Sequence, residues 1–239
     1  FNHFLDNIST LKKLGFITIV VHGGGKRISN KLSEAGIKSN FLNGLRITDE
    51  KTIKIAEKVL VEFNNEIVVG LKNRGCAAKE ISTKHNNIIS VIKDDEKLGF
   101  VGSPNQINKV YLDNIINEKK VPVIAPLGLN DKGQSFNINA DTAAGYIAKP
   151  LNARRLIIMS DVEGVLDKYK YLIPEINSKE IKKLVEDGTI SGGMIPKIDN
   201  CLDVASNGVK GVVIIDGRKQ NSILFELLSE KGSGTLIKQ

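Results

Sequence analysis

A β-prone run that leads directly into three glycines constrains this sequence more than any other feature. The run Ile17 to Val21 is followed, after one histidine, by Gly23-Gly24-Gly25 and then by a polar, helix-favouring stretch. A strand, a tight turn and the start of a helix are expected. Glycines at such a turn let backbone N–H groups approach an anion, and a helix N-terminus adds a partial charge of roughly +0.5. The pattern therefore predicts an oxyanion or phosphate cradle, with a strand–helix turn that binds nothing as the alternative.

Two well-known phosphate-binding motifs do not fit the spacing of these glycines. A Walker loop would need a glycine where Val20 stands and a serine or threonine in place of Arg27. A dinucleotide fingerprint would need its third glycine where Ile28 stands. The spacing therefore disfavours a nicotinamide-dependent dehydrogenase.

Strand-like and helix-like segments alternate along the whole chain. The expected helices cover residues 1–13, 26–36, 50–72, 110–118, 141–148, 178–186, 197–207 and 223–228, with Asp49 and Ser178 as N-terminal caps. The expected strands cover 17–21, 121–126, 155–160, 209–216 and 232–237, with short strands between 77 and 91. Several strands are apolar on both faces, which predicts an α/β fold with a mainly parallel central sheet sandwiched between helical layers. No linker is visible, so we expect a single domain over 1–239.

Composition excludes several classes of function. No apolar run approaches the ~20 residues that span a membrane. The two cysteines and three histidines form no metal-binding pattern. The net charge of +7 is spread among acidic residues and aromatics make up only 5%, which favours a solvated surface over a nucleic-acid interface. We expect a cytoplasmic protein that binds neither membrane nor nucleic acid and holds no protein-bound metal.

Polar features fall where predicted strands meet predicted helices. They are Gly23 to Gly25, Asn137 to Asp141, Asp161 to Leu166, and Gly192-Gly193 with Lys197; Arg46 lies in a loop. Glycine cradles, a lysine and an aspartate are the groups that phosphoryl transfer needs. Taken singly, Asp141 also fits a helix cap, Lys197 a solvated side chain, and His22 a packing or backbone-bonding residue rather than a base.

Nine short stretches, in order, resemble the acetylglutamate kinases of the amino acid kinase family over essentially the whole chain. They are residues 21–25, 43–48, 64–68, 99–102, 122–126, 137–141, 160–165, 192–197 and 232–235. The resemblance implies ATP-dependent phosphorylation of the side-chain carboxylate of N-acetyl-L-glutamate, a step of arginine biosynthesis. A kinase of a related aminoadipate derivative, and a non-catalytic regulatory protein on the same fold, are the alternatives.

The resemblance also implies roles for individual residues. Substrate would be bound by Gly24, Gly25, Arg46 and Asn137, while Lys197 would steady the transferring phosphoryl group and Asp141 would orient lysines. The nucleotide would be bound by Asp161, Val162, Glu163, Gly164, Val165, Leu166, Thr189, Ile190 and Ser191. The N-terminal part would thus bind substrate and the C-terminal part ATP, with Mg²⁺ bridging phosphate oxygens.

The sequence departs from the family pattern at three places. Residues 80–86 stand where a glycine-rich Ser-Gly-x-Asp stretch is usual, and Asn221 replaces a histidine. The segments 223–228 and 232–235 resemble the arginine-inhibited, hexameric branch, so arginine inhibition and a homo-oligomer, dimer or hexamer, are hypotheses.

The third departure lies at the start of the chain, where the family's Lys-x-Gly-Gly strand is absent before the first helix. Without it, the strand 17–21 would have an exposed apolar edge. We expect the upstream reading frame to encode this strand within about 30 residues, the size of one strand–helix unit. We also expect the 239-residue chain to be poorly active without it and to aggregate.

Overall fold

The computed structural model describes residues 1–238. Contacts group the chain into two compact units, Phe1–Ala143 and the residues from Ala144 onward. The expectation that they work as one kinase domain stays a prediction.

The first unit contains four helices and the start of a fifth. The helices are α1 (Asn2–Lys13), α2 (Gly25–Glu34), α3 (Glu50–Lys72), α4 (Lys109–Asn117) and α5 (Ala140–Ala148), which contains the boundary between the units, and a 3₁₀ turn covers Glu96–Leu98. The strands are β1 (Val20–Val21), β2 (Phe41–Leu42), β3 (Leu45–Arg46), β4 (Ala78–Ile81), β5 (Ile89–Lys93), β6 (Gly102–Ile107), β7 (Val121–Ile124), β8 (Leu127–Leu129) and β9 (Ser135–Asn137).

A parallel sheet with the order β1-β7-β4 lies under the glycine turn. Its middle strand, β7, is buried at every position. This explains its uninterrupted apolar sequence, because a central parallel strand has both faces covered. Helices α2 and α3 pack together around Leu32, Ala56 and Leu60, which are fully buried. The sheet and these helices thus hold the carboxyl end of β1, where the glycines follow.

Two smaller sheets complete the first unit. Strands β2 and β3 form an antiparallel hairpin that ends at Arg46. Strands β6, β5, β8 and β9 form a mixed sheet in that order, in which β8 and β9 are antiparallel and end at Asn137. Both sheets therefore deliver one predicted substrate-binding residue at a strand end.

The second unit is built on one four-stranded sheet. Its strands are β10 (Leu156–Ser160), β11 (Glu175–Asn177), β12 (Val212–Asp216) and β13 (Thr235–Lys238), and its helices are α6 (Ser178–Glu186), α7 (Met194–Ser206) and α8 (Ser222–Leu228). The order is β10-β12-β13-β11, with β10 parallel to β12 and β13 antiparallel to β12. Strand β12 is buried at all of its positions and pairs on both sides, which makes it the centre of this sheet.

The α/β class with parallel strand pairs and covering helices is confirmed, and α3 has the predicted bounds with Asp49 as its cap, accepting the Thr52 N–H at 2.7 Å. The parallel pairs are spread over separate sheets, and the antiparallel strands β8 and β9 were not predicted. Their residues are few and partly polar, so they carry no strong period-2 signal.

Three local predictions were wrong in detail. The strand 17–21 is reduced to β1, and Ile17 is 72% exposed. Helix α7 begins at Met194 rather than at 197. Helix α6 is capped by Asn177, whose side chain accepts N–H groups of the first turn while Glu180 binds back to the Asn177 N–H. Ser178 is therefore the first helical residue and not the cap, because an Asn with a Glu three residues later forms the stronger reciprocal cap.

Candidate functional site

The glycine turn of the first unit presents unused backbone donors. Helix α2 begins at Gly25, and its N-cap residue Gly24 has no side chain to satisfy the first N–H groups. Within residues 1–238, the N–H groups of Gly23, Gly24 and Gly25 have no hydrogen-bond acceptor. Unpaired N–H groups at a helix N-terminus favour an anion, so the geometry fits the predicted cradle.

Packing explains why one of these three positions, Gly24, is glycine. A Cβ on Gly24 would lie 2.7 Å from the Cδ2 atom of Leu60, which is fully buried on α3. A Cβ on Gly25 would meet nothing within 4 Å. A Cβ on Gly23 would lie 3.7 Å from the Cβ of Ala140, so the start of α5 lies against the turn. Gly24 is thus required by the core, whereas Gly25 leaves open space above the turn.

Arg46 is buried beside the same turn, with 7% of its surface exposed. Its Nη1 donates to Ser39 Oγ at 2.7 Å, and its Nη2 donates to Gly25 O and Ser29 Oγ, each at 3.0 Å. Burial lowers the pKa of the guanidinium. Among the described residues, no carboxylate lies within ion-pair distance of it. A buried cation without a counter-charge is costly, and a bound anion would offset that cost.

The stretch Asn137 to Asp141 joins β9 to α5. The Asn137 N–H donates to Phe100 O at 2.9 Å, which fixes its backbone, while its half-buried side-chain amide has no partner in the described part of the chain. Asn139 Oδ1 accepts the N–H groups of Asp141 and Thr142 at 2.9 and 3.1 Å. Asn139 is therefore the residue that caps α5, and Asp141 lies in its first turn. Of the two asparagines, Asn139 is committed to the helix cap, whereas the side chain of Asn137 remains available to a ligand.

His22 and Asn64 hold helix α3 to the strands under the glycine turn. Asn64 Nδ2 lies 3.1 Å from His22 Nε2, 3.0 Å from Val123 O and 3.3 Å from Ile81 O. His22 Nδ1 lies 3.3 Å from Gly23 O. These contacts fit a neutral imidazole with its proton on Nδ1, and they agree with the interpretation of His22 as a packing and backbone-bonding residue. A buried Asn within an apolar helix face was the available signal for this role of Asn64.

Residues 82–85, in the stretch that departs from the family pattern, form an ordered turn attached to Glu57. Glu57 Oε1 accepts from Thr83 Oγ1 and Ser135 Oγ, each at 2.6 Å, and its Oε2 lies 3.1 Å from Lys84 Nζ. Desolvation raises the pKa of Glu57, but hydrogen bonds from Ser135, Thr83 and Lys84 outweigh it and lower the pKa overall. Side-chain bonds from Thr83 and Lys84 to Glu57 of α3 thus hold this turn, and Ser135 of β9 binds the same carboxylate.

In the second unit, the predicted nucleotide-binding stretch 161–166 is held by a threonine of β13. Thr235 Oγ1 accepts the Val165 N–H at 2.8 Å and donates to Ile173 O at 2.6 Å. A Cβ on Gly164 would lie 2.5 Å from this hydroxyl. Gly164 is therefore needed because the chain passes directly over Thr235.

The residues predicted to bind nucleotide divide by exposure. The side chains of Val165 and Ile190 are buried in the core of the second unit, so only their backbones are available to a ligand. Exposed or half-buried positions are Asp161, Val162, Glu163, Leu166, Thr189 and Ser191. Helix α7 has Gly193 as its N-cap and no side-chain cap, and Lys197 follows within its first turns as a half-buried residue.

Sequence reasoning missed the carboxylate at the end of β12. Asp216 is buried and accepts from Arg218 Nε and Nη2 at 2.9 and 2.8 Å. The Arg218 guanidinium lowers the pKa of this carboxyl to about 2. Asp216 pairs in register with Ser160, so Arg218 is held beside the stretch 161–166. An acidic residue that directly ends an apolar strand was the available signal.

Comparison with known proteins identifies the family. The model of the amino acid kinase family matches residues 1–216. The chain belongs to the amino acid kinase family. It is 64% identical over its whole length to an acetylglutamate kinase of Pelagibacter ubique, covering 83% of that protein, and 44% identical to one of Rhodopseudomonas palustris, where 98% of this chain and 83% of the relative are covered. A crystal structure of a Streptococcus mutans protein superposes with a TM-score of 0.85 at 28% identity, covering 98% of this chain and 91% of that one.

Residues 1–238 of this amino acid kinase family member contain neither a membrane-spanning helix nor a cluster of metal ligands. None of its described helices is both long and apolar enough to cross a bilayer. No group of three or more His, Cys, Asp or Glu side chains in the same residues could hold a metal ion.

Burial of His22 predicts acid sensitivity. Burial, partly opposed by the Gly23 carbonyl and aided by Arg27, lowers the pKa of His22 from 6.5 to about 4. Between these values the unfolded chain binds a proton that the folded chain does not, so stability falls as pH falls from 6.5 to 4. The loss of unfolding free energy should be roughly 3 kcal/mol from this residue. The unfolding free energy, measured by urea denaturation across this range, should change less steeply with pH for His22→Gln than for the unmodified protein. The exposed His3→Gln is the control and should keep the original slope; an unchanged slope in His22→Gln would contradict the assignment.

Proposed function

We propose that this protein catalyses ATP-dependent phosphorylation of the side-chain carboxylate of N-acetyl-L-glutamate, forming N-acetylglutamyl 5-phosphate in arginine biosynthesis. The names of its relatives and the family match support this activity. The observation that carries it in the structure is Arg46, a buried cation without a carboxylate partner among residues 1–238, next to unpaired N–H groups of the glycine turn. A dicarboxylic acyl amino acid would supply the negative charge that the surroundings of Arg46 lack.

The first unit supplies the groups for substrate in this proposal. Arg46 binds one substrate carboxylate, because a guanidinium donates several directed hydrogen bonds to a carboxylate. Gly24 and Gly25 donate backbone N–H groups to the other carboxylate, and Asn137 binds the substituents on the α-carbon. The open space above Gly25 and the unpartnered Asn137 amide support these roles.

The second unit supplies the groups for ATP. The stretches 161–166 and 189–191 bind the nucleotide, and Lys197 stabilises negative charge on the transferring phosphoryl group.

Mg²⁺ is proposed only as a companion of the ATP phosphates. The described residues offer no cluster of ligands for a metal of their own, and Mg²⁺ is commonly bound through substrate phosphates.

The reaction needs no general base. A glutamate-type carboxylate has a pKa of about 4.3 and is already ionised at neutral pH. Its oxygen attacks the γ-phosphorus of ATP, the bond from that phosphorus to the β–γ bridging oxygen breaks, and ADP leaves with the electron pair. The obstacle is repulsion between two anions, which N–H donors, Arg46 and Lys197 reduce.

Asp141 is proposed to orient lysine side chains. The lowered pKa of His22 fits the absence of a proton-accepting role for it.

Regulation by arginine and assembly into a homo-oligomer belong to the same proposal. Glu226 Oε2 accepts the Ser233 N–H at 2.7 Å, so segment 232–235 is folded onto α8. Asn221 is the N-cap residue of α8 and has a left-handed φ of 59°, which asparagine tolerates well. We expect millimolar arginine to slow turnover of the full-length enzyme in a coupled ADP-release assay. A rate that arginine leaves unchanged would contradict this regulation.

The cytoplasm is the proposed location.

Substrate preference tests the activity itself. We expect kcat/KM for N-acetyl-L-glutamate to exceed that for the corresponding aminoadipate derivative by at least tenfold, because one extra methylene misplaces the reacting carboxylate. Side-by-side assays of acyl phosphate, trapped as the hydroxamate, provide the measurement. A preference for the aminoadipate derivative would replace the proposed substrate, and ATP binding by the full-length protein without turnover of either compound would favour a regulatory protein.

Two substitutions separate substrate binding from transition-state stabilisation. Arg46→Ala should raise the KM for acetylglutamate by about 10-fold or more, since it removes charged hydrogen bonds made in the ground state. Lys197→Ala should lower kcat by roughly 10²-fold or more, since its charge matters most in the transition state. Steady-state kinetics with both substrates varied is the measurement. The same KM effect in both variants, with kcat unchanged, would contradict these roles.

A further inference from the structure

Arg46 is held by groups that fix its position without neutralising its charge. A guanidinium carries five N–H donors. Three of them are committed within the first unit, to Ser39 Oγ, Gly25 O and Ser29 Oγ. The Nε–H and one N–H of Nη1 therefore have no acceptor among residues 1–238.

The chemical identity of the two side-chain partners matters. A carboxylate in place of Ser29 or Ser39 would form an ion pair with Arg46 and compete with an anionic substrate. A hydroxyl accepts a hydrogen bond while leaving the positive charge intact, and it keeps its own O–H as a further donor. The two hydroxyls thus leave both the charge and the remaining donors of Arg46 available.

The two serines also approach Arg46 from different parts of the chain. Ser29 lies on α2, and Ser39 lies in the segment before the β2–β3 hairpin that carries Arg46. Gly25 O and Ser29 Oγ attach the guanidinium to the start of α2, where the glycine N–H groups are also found, and Ser39 Oγ attaches it to the segment before the hairpin. The relative position of the cation and the N–H donors therefore depends on these bonds.

We propose that Ser29 and Ser39 are positioning residues that hold the Arg46 guanidinium, charged and partly uncommitted, for the substrate carboxylate. The proposal rests on the proposed function and adds to it the residues through which Arg46 acts. Its energetic basis is preorganisation: an arginine already fixed in the binding geometry loses less conformational entropy when the substrate binds.

A double-mutant cycle separates this role from a merely structural one. Ser29→Ala and Ser39→Ala should each raise the KM for acetylglutamate by about three- to tenfold, with the KM for ATP and kcat changed less than about twofold. In the Arg46→Ala background, either serine substitution should add almost nothing, because a residue that acts through Arg46 has no effect once Arg46 is absent. Ser39→Thr, which keeps the hydroxyl, should have a KM for acetylglutamate close to that of the unmodified enzyme.

The control is Ser33→Ala, at an exposed position of the same helix α2, which should match the unmodified enzyme. Serine effects that multiply with that of Arg46→Ala, or a KM unchanged in both serine variants, would overturn the proposal. If one variant does not fold, the dissociation constant of acetylglutamate is measured by calorimetry on the remaining single variants and compared with that of the unmodified enzyme. Absence of turnover by the unmodified full-length enzyme would overturn the proposed function as a whole, whereas turnover with multiplying effects would overturn this inference alone.

Discussion

A buried positive charge without a protein counter-charge is the constraint on which the first unit depends. Arg46 is surrounded by hydroxyl, carbonyl and aromatic groups, with the Phe41 ring centroid 4.7 Å from its Cζ atom. Burial without an ion pair costs free energy that the rest of the unit must supply. An anionic ligand beside Arg46 would offset this cost.

Helix α3 contacts several parts of the scaffold around this charge. Its Leu60 fills the space that Gly24 leaves, its Asn64 binds two strand carbonyls and His22, and its Glu57 holds the turn 82–85 and β9. One long helix thus fixes the glycine turn, the strand that ends at Asn137 and the variant turn. Substitutions on its buried face would therefore disturb the glycine turn and the end of β9 together.

The sequence predicts the long elements and the family well, and the local contacts poorly. Helix α3 has a strong 3.6-residue period and an aspartate cap, so its bounds could be predicted. The Asn177 cap, the role of Asn64 and the Asp216–Arg218 pair depend on partners brought together by the fold, and single-sequence patterns carry little information about them. The motif residues were found through resemblance, but the reason for Gly24, Gly164 and Thr235 became clear only from packing and hydrogen bonds.

The most direct test of the account is a structure of the protein with N-acetyl-L-glutamate bound. We predict that one substrate carboxylate lies within about 2.7–2.9 Å of the Arg46 guanidinium nitrogens, the usual length of a charge-assisted bond. The other carboxylate should lie over the N–H groups of Gly24 and Gly25. A substrate whose carboxylates both bind elsewhere, with Arg46 still bonded only to Ser29, Ser39 and Gly25, would contradict the account.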